Sequence, residues 1–486
     1  MTLIAAAAVL VLFLTVPAGA QVPPPVPRFE TGACPVEVSP DERIDCGALF
    51  VPEHRGVIGT RTIRLPVVIF RSRSTSPLPD PVLYMGGGPG GSTVSGRRSG
   101  KGLPFLDERD YILLEQRGAR HAQPALECPD TSRLRGDISA GRLHGPAATA
   151  ALASAAADCR RRLASAGIDL NGYTTEGAAD DVEDLRKALG YETWNLQGIS
   201  YSTRLMLTVL RRHPKGVRSV ILDSVLPPDV NFDEVSSANL LRSLGAVFEG
   251  CATDRACSTT YPDLRRTFTR LVAAADARPL DLGLVDETGR AVVVRGAQVV
   301  DAIYSALHDV QAIPRVPSII ADATAGRYDA LAGLVKANLG PSSLSWGLRY
   351  SVWCAEEMPF QDSARIASQI SPELGLGGIY EGTATPEECR AWNVAPAPAV
   401  ENTPVVSDVP ALVFAGEFDP DTPPAWGQGL LHSMPDARYV EFRGRSHGAG
   451  FWACGATIAQ AFLRDPRGPL PVDCALKVGR TVFVSR

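Results

Sequence analysis

Residues 194–202 read WNLQGISYS, an apolar run that ends in small residues and passes into a helical pattern over 202–213. We predict a strand that ends at Ser200 and a helix that starts just after it. A turn of this kind can carry a nucleophile, because its strained backbone exposes the serine hydroxyl at the carboxyl end of the sheet. Gly198 is as small as the close packing there requires, whereas Ser202 stands where the usual G-x-S-x-G pattern has glycine.

Strand patterns alternate with helical ones on both sides of this turn. The predicted strands are 61–70, 81–85, 110–115, 194–200, 217–224, 410–416 and 437–442, and the predicted helices are 178–190, 202–213 and 455–464. This alternation favours an α/β fold with a mainly parallel, doubly wound sheet. The chain is expected to divide into a signal peptide at 1–20, a first part of the sheet domain at 21–228, a mainly helical cap insertion at 229–400 and a C-terminal part of the sheet domain at 401–486.

The composition is that of an ordinary globular protein. The chain has 486 residues, of which 45% are hydrophobic and 21% are charged, and its net charge is −5. These values exclude the disordered, collagen-like and coiled-coil classes. Nucleic-acid-binding proteins typically carry a net positive charge, whereas this chain is slightly acidic, so we expect no nucleic-acid partner.

The beginning of the chain is a separate segment. Its apolar run is too short for a membrane span, and residues 1–20 end in Ala18-Gly19-Ala20, a small-x-small pattern typical of a secretory signal peptide cleaved after Ala20. No later stretch is long and apolar enough to cross a membrane. We therefore expect a secreted or periplasmic protein without a membrane partner after cleavage, and its oligomeric state stays open.

The ten cysteines agree with export, because their number is even and none forms a C-x-x-C pair. In an oxidising compartment such cysteines form disulfides. Spacing alone leaves the connectivity open, and pairing of neighbours along the chain is the simplest hypothesis: Cys34 with Cys46, Cys128 with Cys159, Cys251 with Cys257, Cys354 with Cys389, and Cys454 with Cys474.

A nucleophilic serine needs a base, and the base needs an acid that orients it. In this architecture the acid and then the histidine follow the serine along the chain. His447 lies in a Gly-rich loop after the last predicted strand, where its side chain can reach over the sheet. His308 falls in the helical insertion and His432 in a helical stretch before that strand. We therefore predict His447 as the base for Ser200.

The acid is expected in the turn after the strand 410–416. Asp419 is the preferred candidate there, and Asp421 and Glu417 are its rivals. Two acids at this spacing can bind a metal, but Pro420 stiffens the turn and no histidine or second acidic cluster is close in sequence. We therefore expect no metal.

An oxyanion hole needs two backbone N–H donors. One is expected from Tyr201, directly after the nucleophile, and the other from Gly88 or Gly87 in the glycine loop that follows the strand 81–85. The same loop formally matches the dinucleotide fingerprint G-x-G-x-x-G, which must open a helix. Residues 92–104 have too many glycines and no apolar stripe, so we expect no cofactor.

Taken together, these segments resemble the α/β-hydrolase fold and, more narrowly, its secreted tripeptidyl aminopeptidase and prolyl iminopeptidase-like branch. The resemblance spans about residues 40–465 and rests on 87–92, 115–118, 184–190, 194–201, 217–224 and 416–424. It implies that Ser200 is the nucleophile, Asp419 the orienting acid and His447 the general base and acid, and it favours Asp419 over Asp421. Many relatives have a Thr-Gly-x-Ser-like run where His121 stands, so we expect His121 near the pocket rim.

Relatives that act as aminopeptidases hold the free amine of the substrate with carboxylates from the cap. Glu356 and Glu357, beside Cys354, are the matching candidates, and Asp254 is a weaker rival. A buried ammonium group needs such a paired charge.

Three functions are therefore in competition. The leading interpretation is an exported serine hydrolase that releases short peptides or residues from the free N-terminus of peptides. The alternative is a carboxylesterase or amidase that acts on small-molecule substrates with the same triad. A binding protein that has lost catalysis is the third possibility, and only Ser202 in the elbow supports it.

Overall fold

The computed structural model describes residues 26–369 and 384–485, and nine strands form one sheet within them. In chain order the strands are β1 Arg28–Thr31, β2 Ile44–Pro52, β3 Thr62–Phe70, β4 Val82–Met85, β5 Tyr111–Leu114, β6 Trp194–Ser200, β7 Val217–Val225, β8 Ala411–Gly416 and β9 Ala437–Phe442. Their spatial order is β1-β2-β3-β5-β4-β6-β7-β8-β9. The pairs along β5-β4-β6-β7-β8-β9 are parallel, and those along β1-β2-β3-β5 are antiparallel. The predicted mainly parallel α/β sheet is confirmed.

The first two strands were not among the predicted ones, and their position depends on pairing. β1 has only four residues, and β2 contains Asp45 and Gly47 within an otherwise apolar run, so neither gives a clear alternation. β2 nevertheless pairs with β3 along its whole length, from Ile44 opposite Phe70 to the other end of both strands. Long-range pairing therefore creates an antiparallel edge that local patterns do not reveal.

The helices of the described residues are α1 Pro129–Ser139, α2 Gly145–Ser165, α3 Thr175–Ala188, α4 Tyr201–Arg212, α5 Phe232–Thr253, α6 Arg255–Thr260, α7 Leu264–Ala277, α8 Gly296–His308, α9 Val316–Thr324, α10 Asp329–Ala337, α11 Trp346–Glu356, α12 Ser363–Gln369, α13 Pro386–Trp392, α14 Pro424–Gly429, α15 Ala453–Arg464 and α16 Asp473–Leu476. α1 and α2 lie outside the predicted helices. α3 begins three residues before the predicted position, because the Thr174 side chain caps it by accepting a hydrogen bond from the Gly177 amide.

The helices α5 to α13 lie between β7 and β8, inside the range 229–400 expected for the insertion. Of these, α5 to α10 form a hydrophobic core of their own, which includes Val247, Phe268, Ile303 and Ile320, whereas α11 and α13 pack in a different core. Phe418, from the loop after β8, belongs to the core of α5 to α10. The insertion is therefore packed directly against the loop that contains the predicted acid, while the exact domain boundaries stay a prediction.

The ten cysteines form five disulfides, and each joins neighbours along the chain: Cys34–Cys46, Cys128–Cys159, Cys251–Cys257, Cys354–Cys389 and Cys454–Cys474. The third bond links α5 to α6, and the fourth links α11 to α13. The described helices include none that is long and apolar enough to cross a membrane. The predicted signal peptide at 1–20 lies outside the described residues.

Candidate active site

Ser200 occupies a strained turn between β6 and α4. Its backbone has φ 58° and ψ −130°, a conformation that residues other than glycine rarely adopt. Gly198 allows the turn to close, because a Cβ atom on this residue would lie 2.7 Å from the carbonyl oxygen of Ser202. This is the elbow geometry that the sequence predicts, and it places Ser200 at the carboxyl end of a central strand.

Ser202, the departure from the usual pattern, fits the elbow through hydrogen bonds. Its buried hydroxyl accepts from the Ile199 amide at 2.8 Å and lies 2.7 Å from the Met85 carbonyl oxygen. Met85 is the last residue of β4, directly before the glycine loop. The side chain that replaces glycine therefore ties the nucleophile turn to the strand that leads into the predicted oxyanion loop.

Asp419 and His447 meet above the sheet. The Nδ1 atom of His447 lies 2.9 Å from Oδ2 of Asp419, whose side chain is fully buried. Asp419 also accepts hydrogen bonds from the amides of Asp421 and Thr422 and from the Thr422 hydroxyl. Burial alone would raise the pKa of Asp419, but the positive charge and the hydrogen bond of His447, with the hydrogen bond from the Thr422 amide, lower it. Asp419 is therefore held as a carboxylate that orients His447.

Asp419 and Asp421 raise the pKa of His447 by more than burial lowers it. Burial lowers the pKa of this imidazole, whereas the charge and the hydrogen bond of Asp419, together with the charge of Asp421, raise it to about 9. The raised pKa makes the imidazole a stronger base and stabilises the imidazolium that forms when it takes a proton from a serine, but the imidazole must be neutral before that step.

Two residues at the end of β7, neither of them a predicted site residue, hold the loop that contains His447. The Ser224 hydroxyl accepts from the Gly448 amide at 2.9 Å, and Oδ2 of Asp223 accepts from the Gly450 amide at 2.8 Å. Burial raises the pKa of Asp223 to about 7. An acid near the carboxyl end of a mainly apolar strand was the signal that could have identified this contact.

The glycine loop after β4 is fixed by Gln116, which follows β5. Its buried side-chain amide donates to the carbonyl oxygens of Gly86 and Gly87 at 2.8 and 2.9 Å. A trans peptide unit directs its C=O and N–H groups to opposite sides, so the Gly88 amide points away from Gln116. Gly87 lies directly against Ser200, because a Cβ atom on it would be 2.9 Å from the Cβ of Ser200. The loop thus places backbone amides beside Ser200.

A cavity of about 160 Å³ opens onto Ser200. Its walls come from the glycine loop, the end of β7, the insertion and the loop after β8, and the lining residues are Gly88, Ser200, Leu226, Phe232, Ser236, Tyr304, Arg349, Trp353, Pro420, Asp421 and Thr422. Asp421 is the one carboxylate among these residues, and Arg349 is the one cation. The cavity therefore combines an apolar wall with one charge of each sign.

Asp421, the rival of Asp419, pairs with the insertion instead of with His447. Its Oδ2 lies 2.8 Å from Nε2 of His308, and its Oδ1 accepts from the Tyr304 hydroxyl. Burial lowers the pKa of His308, but the hydrogen bond and charge of Asp421 raise it. The rings of His308 and His447 meet edge to face with centres 5.8 Å apart. The sequence predicts that His308 lies in the insertion and is not the base, but local patterns do not reveal its position beside His447.

The insertion also holds the main chain of the acid loop. Three side chains of α5 donate to four carbonyl oxygens there: Asn239 to Asp421 at 2.9 Å, Arg242 to Glu417 at 2.9 Å and Asp419 at 2.5 Å, and Ser243 to Phe418 at 2.6 Å. The position of the predicted acid therefore depends on the insertion as well as on β8.

Glu356 and Glu357 do not line the cavity at Ser200. Glu356 is buried and accepts hydrogen bonds from the amide and hydroxyl of Thr175, and it faces a different cavity. Glu357 is buried in an ion pair with Arg204 and also accepts from the Phe232 amide. Both carboxylates already have protein partners, and the structure does not bring either of them to the cavity at Ser200.

The remaining candidates have local roles. Asp254 caps α6 by accepting from the Ala256 and Cys257 amides. Glu417 accepts from the Gly444 amide. His121 lies 2.8 Å from the Ser95 hydroxyl and is not among the residues that line the cavity.

Asp419, Asp421 and His447 offer atoms close enough to hold a cation, since these atoms lie within 4.8 Å of one another. Hydrogen bonds among the three side chains, Thr422, Tyr304 and His308 already use them. The arrangement suits proton transfer better than metal binding.

The sheet order, the elbow and the acid–histidine pair after the last strands define the class of the α/β hydrolases. A family model described as "alpha/beta hydrolase fold" matches residues 80–453, and the chain belongs to this family. The resemblance inferred from the sequence is thereby confirmed.

Three curated relatives are serine peptidases or aminopeptidases by name. Serine protease Hip1 of Mycobacterium tuberculosis (strain ATCC 25618 / H37Rv) is 25% identical over 395 residues, 74% of this chain and 74% of that protein. Tripeptidyl aminopeptidase of Streptomyces lividans is 28% identical over 270 residues, 51% of this chain and 49% of that protein. A probable proline iminopeptidase of Streptomyces coelicolor is 26% identical over 203 residues, 40% of this chain and 48% of that protein.

Proposed function

We propose that the chain is a serine hydrolase of the aminopeptidase type, which cleaves peptides near their free N-terminus through an acyl-enzyme on Ser200. The observation that supports this most directly is the elbow geometry at Ser200, together with the pairing of His447 with the buried Asp419. The names of the curated relatives support the peptidase activity.

In this mechanism Ser200 attacks the scissile carbonyl carbon while His447 accepts its proton. Asp419 holds the imidazole through Nδ1 and stabilises the imidazolium that forms. The amides of Tyr201 and of Gly88, or of its neighbour Gly87, donate to the oxyanion. His447 then protonates the leaving amine, and water attacks the acyl-enzyme with His447 again as the base.

In this proposal Asp421, and not Glu356 or Glu357, binds the free amine of the substrate. Asp421 is the carboxylate that lines the cavity, and a carboxylate has about four lone-pair sites, of which Tyr304 and His308 take two. A cavity of about 160 Å³ is smaller than the roughly 300–1,000 Å³ of pockets for drug-sized ligands. An acyl part of about one residue suits it better than a tripeptide.

The test compares p-nitroanilides of one, two and three residues, each with a free and with an N-acetylated amine. We expect the free single-residue substrates to have the higher kcat/KM and the Ser200→Ala variant to be inactive on all of them. Equal rates on free and acetylated substrates would exclude the aminopeptidase, and full activity of Ser200→Ala would exclude the mechanism. In Asp421→Asn the ratio of free to acetylated rates should fall, whereas in Glu356→Gln it should not.

A carboxylesterase or amidase with the same triad is the second candidate. It is favoured by the apolar wall of Leu226, Phe232 and Trp353 and by the fact that His308 already pairs with Asp421. Faster hydrolysis of uncharged p-nitrophenyl esters together with no preference for a free amine would select it.

We also propose that the protein is exported and that residues 1–20 are its signal peptide. The five disulfides support an oxidising compartment. Mass spectrometry of the mature protein should find an N-terminus at Gln21, and retention of residues 1–20 would contradict this.

A further inference from the structure

A buried cation faces the same cavity as the nucleophile. Arg349, on α11, lines the cavity with Ser200, and only 5% of its surface is exposed. Its guanidinium carbon lies 4.3 Å from the centre of the Trp353 ring, one helical turn further along α11. The guanidinium group therefore packs over the face of this ring.

The partners of this guanidinium group are incomplete. Nη1 donates to the Gly88 carbonyl oxygen at 2.9 Å, but Nε is buried without a hydrogen-bond partner among residues 26–369 and 384–485. Within the same residues, no carboxylate forms a salt bridge with Arg349. Burial lowers the pKa of Arg349 to about 10, and the charge of Asp233 acts against this effect. Oδ2 of Asp233, however, accepts from Nε1 of Trp353.

A buried charge is costly unless it is paired, so a cation of this kind in a catalytic cavity points to an anion that arrives with the substrate. A planar guanidinium group matches a carboxylate, which it can bind edge-on through two parallel hydrogen bonds. The other polar wall of the cavity holds Asp421, the proposed anchor for the amine. An acyl residue with both an ammonium group and a side-chain carboxylate would therefore satisfy both charges.

We propose that Arg349 determines specificity by binding a carboxylate of the acyl residue, so that the enzyme prefers peptides with N-terminal glutamate or aspartate. The inference rests on the proposed aminopeptidase function. The carboxylate lies at the guanidinium group, and the methylene groups of the side chain pack against Phe232 and Leu226.

Glutamyl and glutaminyl p-nitroanilide test the proposal, because the two substrates have nearly the same shape and differ in charge. We expect the wild-type kcat/KM to be about 10- to 100-fold higher for the glutamyl substrate. In Arg349→Met this ratio should fall to about one. In Arg349→Lys it should be intermediate, because lysine keeps the positive charge but cannot form two parallel hydrogen bonds with a carboxylate.

The ratio within each variant is the readout, because Arg349 also holds Gly88 and its loss will lower all rates. The matched control is Arg327→Met, which removes an exposed arginine that pairs with Asp322 and should leave the ratio unchanged. The proposed carboxylate site is wrong if the wild type cleaves both substrates with a ratio of one or below, or if Arg349→Met keeps the wild-type ratio. Neither result contradicts the proposed aminopeptidase function. If neither substrate is cleaved but their N-acetylated forms are, both proposals fail.

Discussion

The guanidinium group of Arg242, in the first helix of the insertion, donates to the main-chain carbonyl oxygen of Asp419 at 2.5 Å. The same side chain donates to the Glu417 carbonyl oxygen, so that it spans the turn in which the acid stands. A cap that only covered the substrate would have no such contact. The insertion is therefore part of the framework that positions Asp419, the acid of the proposed triad.

We expect Arg242→Met to lower kcat about tenfold with a smaller change in KM, because a small displacement of Asp419 misorients His447. Steady-state kinetics on the best anilide substrate measures both constants. Arg266→Met is the matched control, since Arg266 is exposed on α7 and pairs with Asp263. A rise in KM at constant kcat would instead indicate a role in substrate binding.

The pH dependence of kcat/KM should show the raised pKa of His447. The imidazole must be neutral to accept the serine proton, and the negative charges of Asp419 and Asp421 raise its pKa to about 9. Activity should therefore increase with pH up to about 9. Asp421→Asn removes one of these charges, so the acid limb of the profile should move to lower pH. An unchanged limb in this variant would show that Asp421 does not act on His447.

Ser202→Ala should destabilise the protein by about 1–3 kcal/mol, because it leaves the Ile199 amide and the Met85 carbonyl without their buried partner. Urea unfolding measures the change. Thr259→Ala is the control, because its hydroxyl bonds the Arg255 carbonyl on an exposed helix. Equal stability of both variants would mean that the hydroxyl at position 202 is dispensable.

Glu357→Gln should cost about 3–5 kcal/mol of stability, because it leaves the Arg204 charge buried without its partner. The ratio of rates on free and acetylated substrates should not change, since Glu357 does not line the cavity. Glu387→Gln, which breaks an exposed pair with Arg390, should alter neither quantity. Loss of amine preference in Glu357→Gln would restore the original assignment.

Local patterns were sufficient for β3 to β9 and for the elbow. The apolar run before Ser200 is buried as β6, and the glycine that the turn requires stands at 198. The edge strands β1 and β2 could not be predicted in the same way, because pairing with β3 rather than local periodicity defines them. Ser202 looked like a defect in the motif, and only its contacts with β4 explain why a serine is accepted there.

The sequence by itself determined the fold class and the order of nucleophile, acid and histidine, because hydrophobic periodicity and turn chemistry are local properties of the chain. Tertiary structure decided which charges face the cavity. Glu356 follows Arg349 by seven residues on α11, which corresponds to about 10 Å along the helix axis. The carboxylate of Glu356 therefore contacts Thr175 and does not reach the cavity of Ser200. His308 and Asp421 are distant in sequence, and only the packing of the insertion on the acid loop brings them together beside His447.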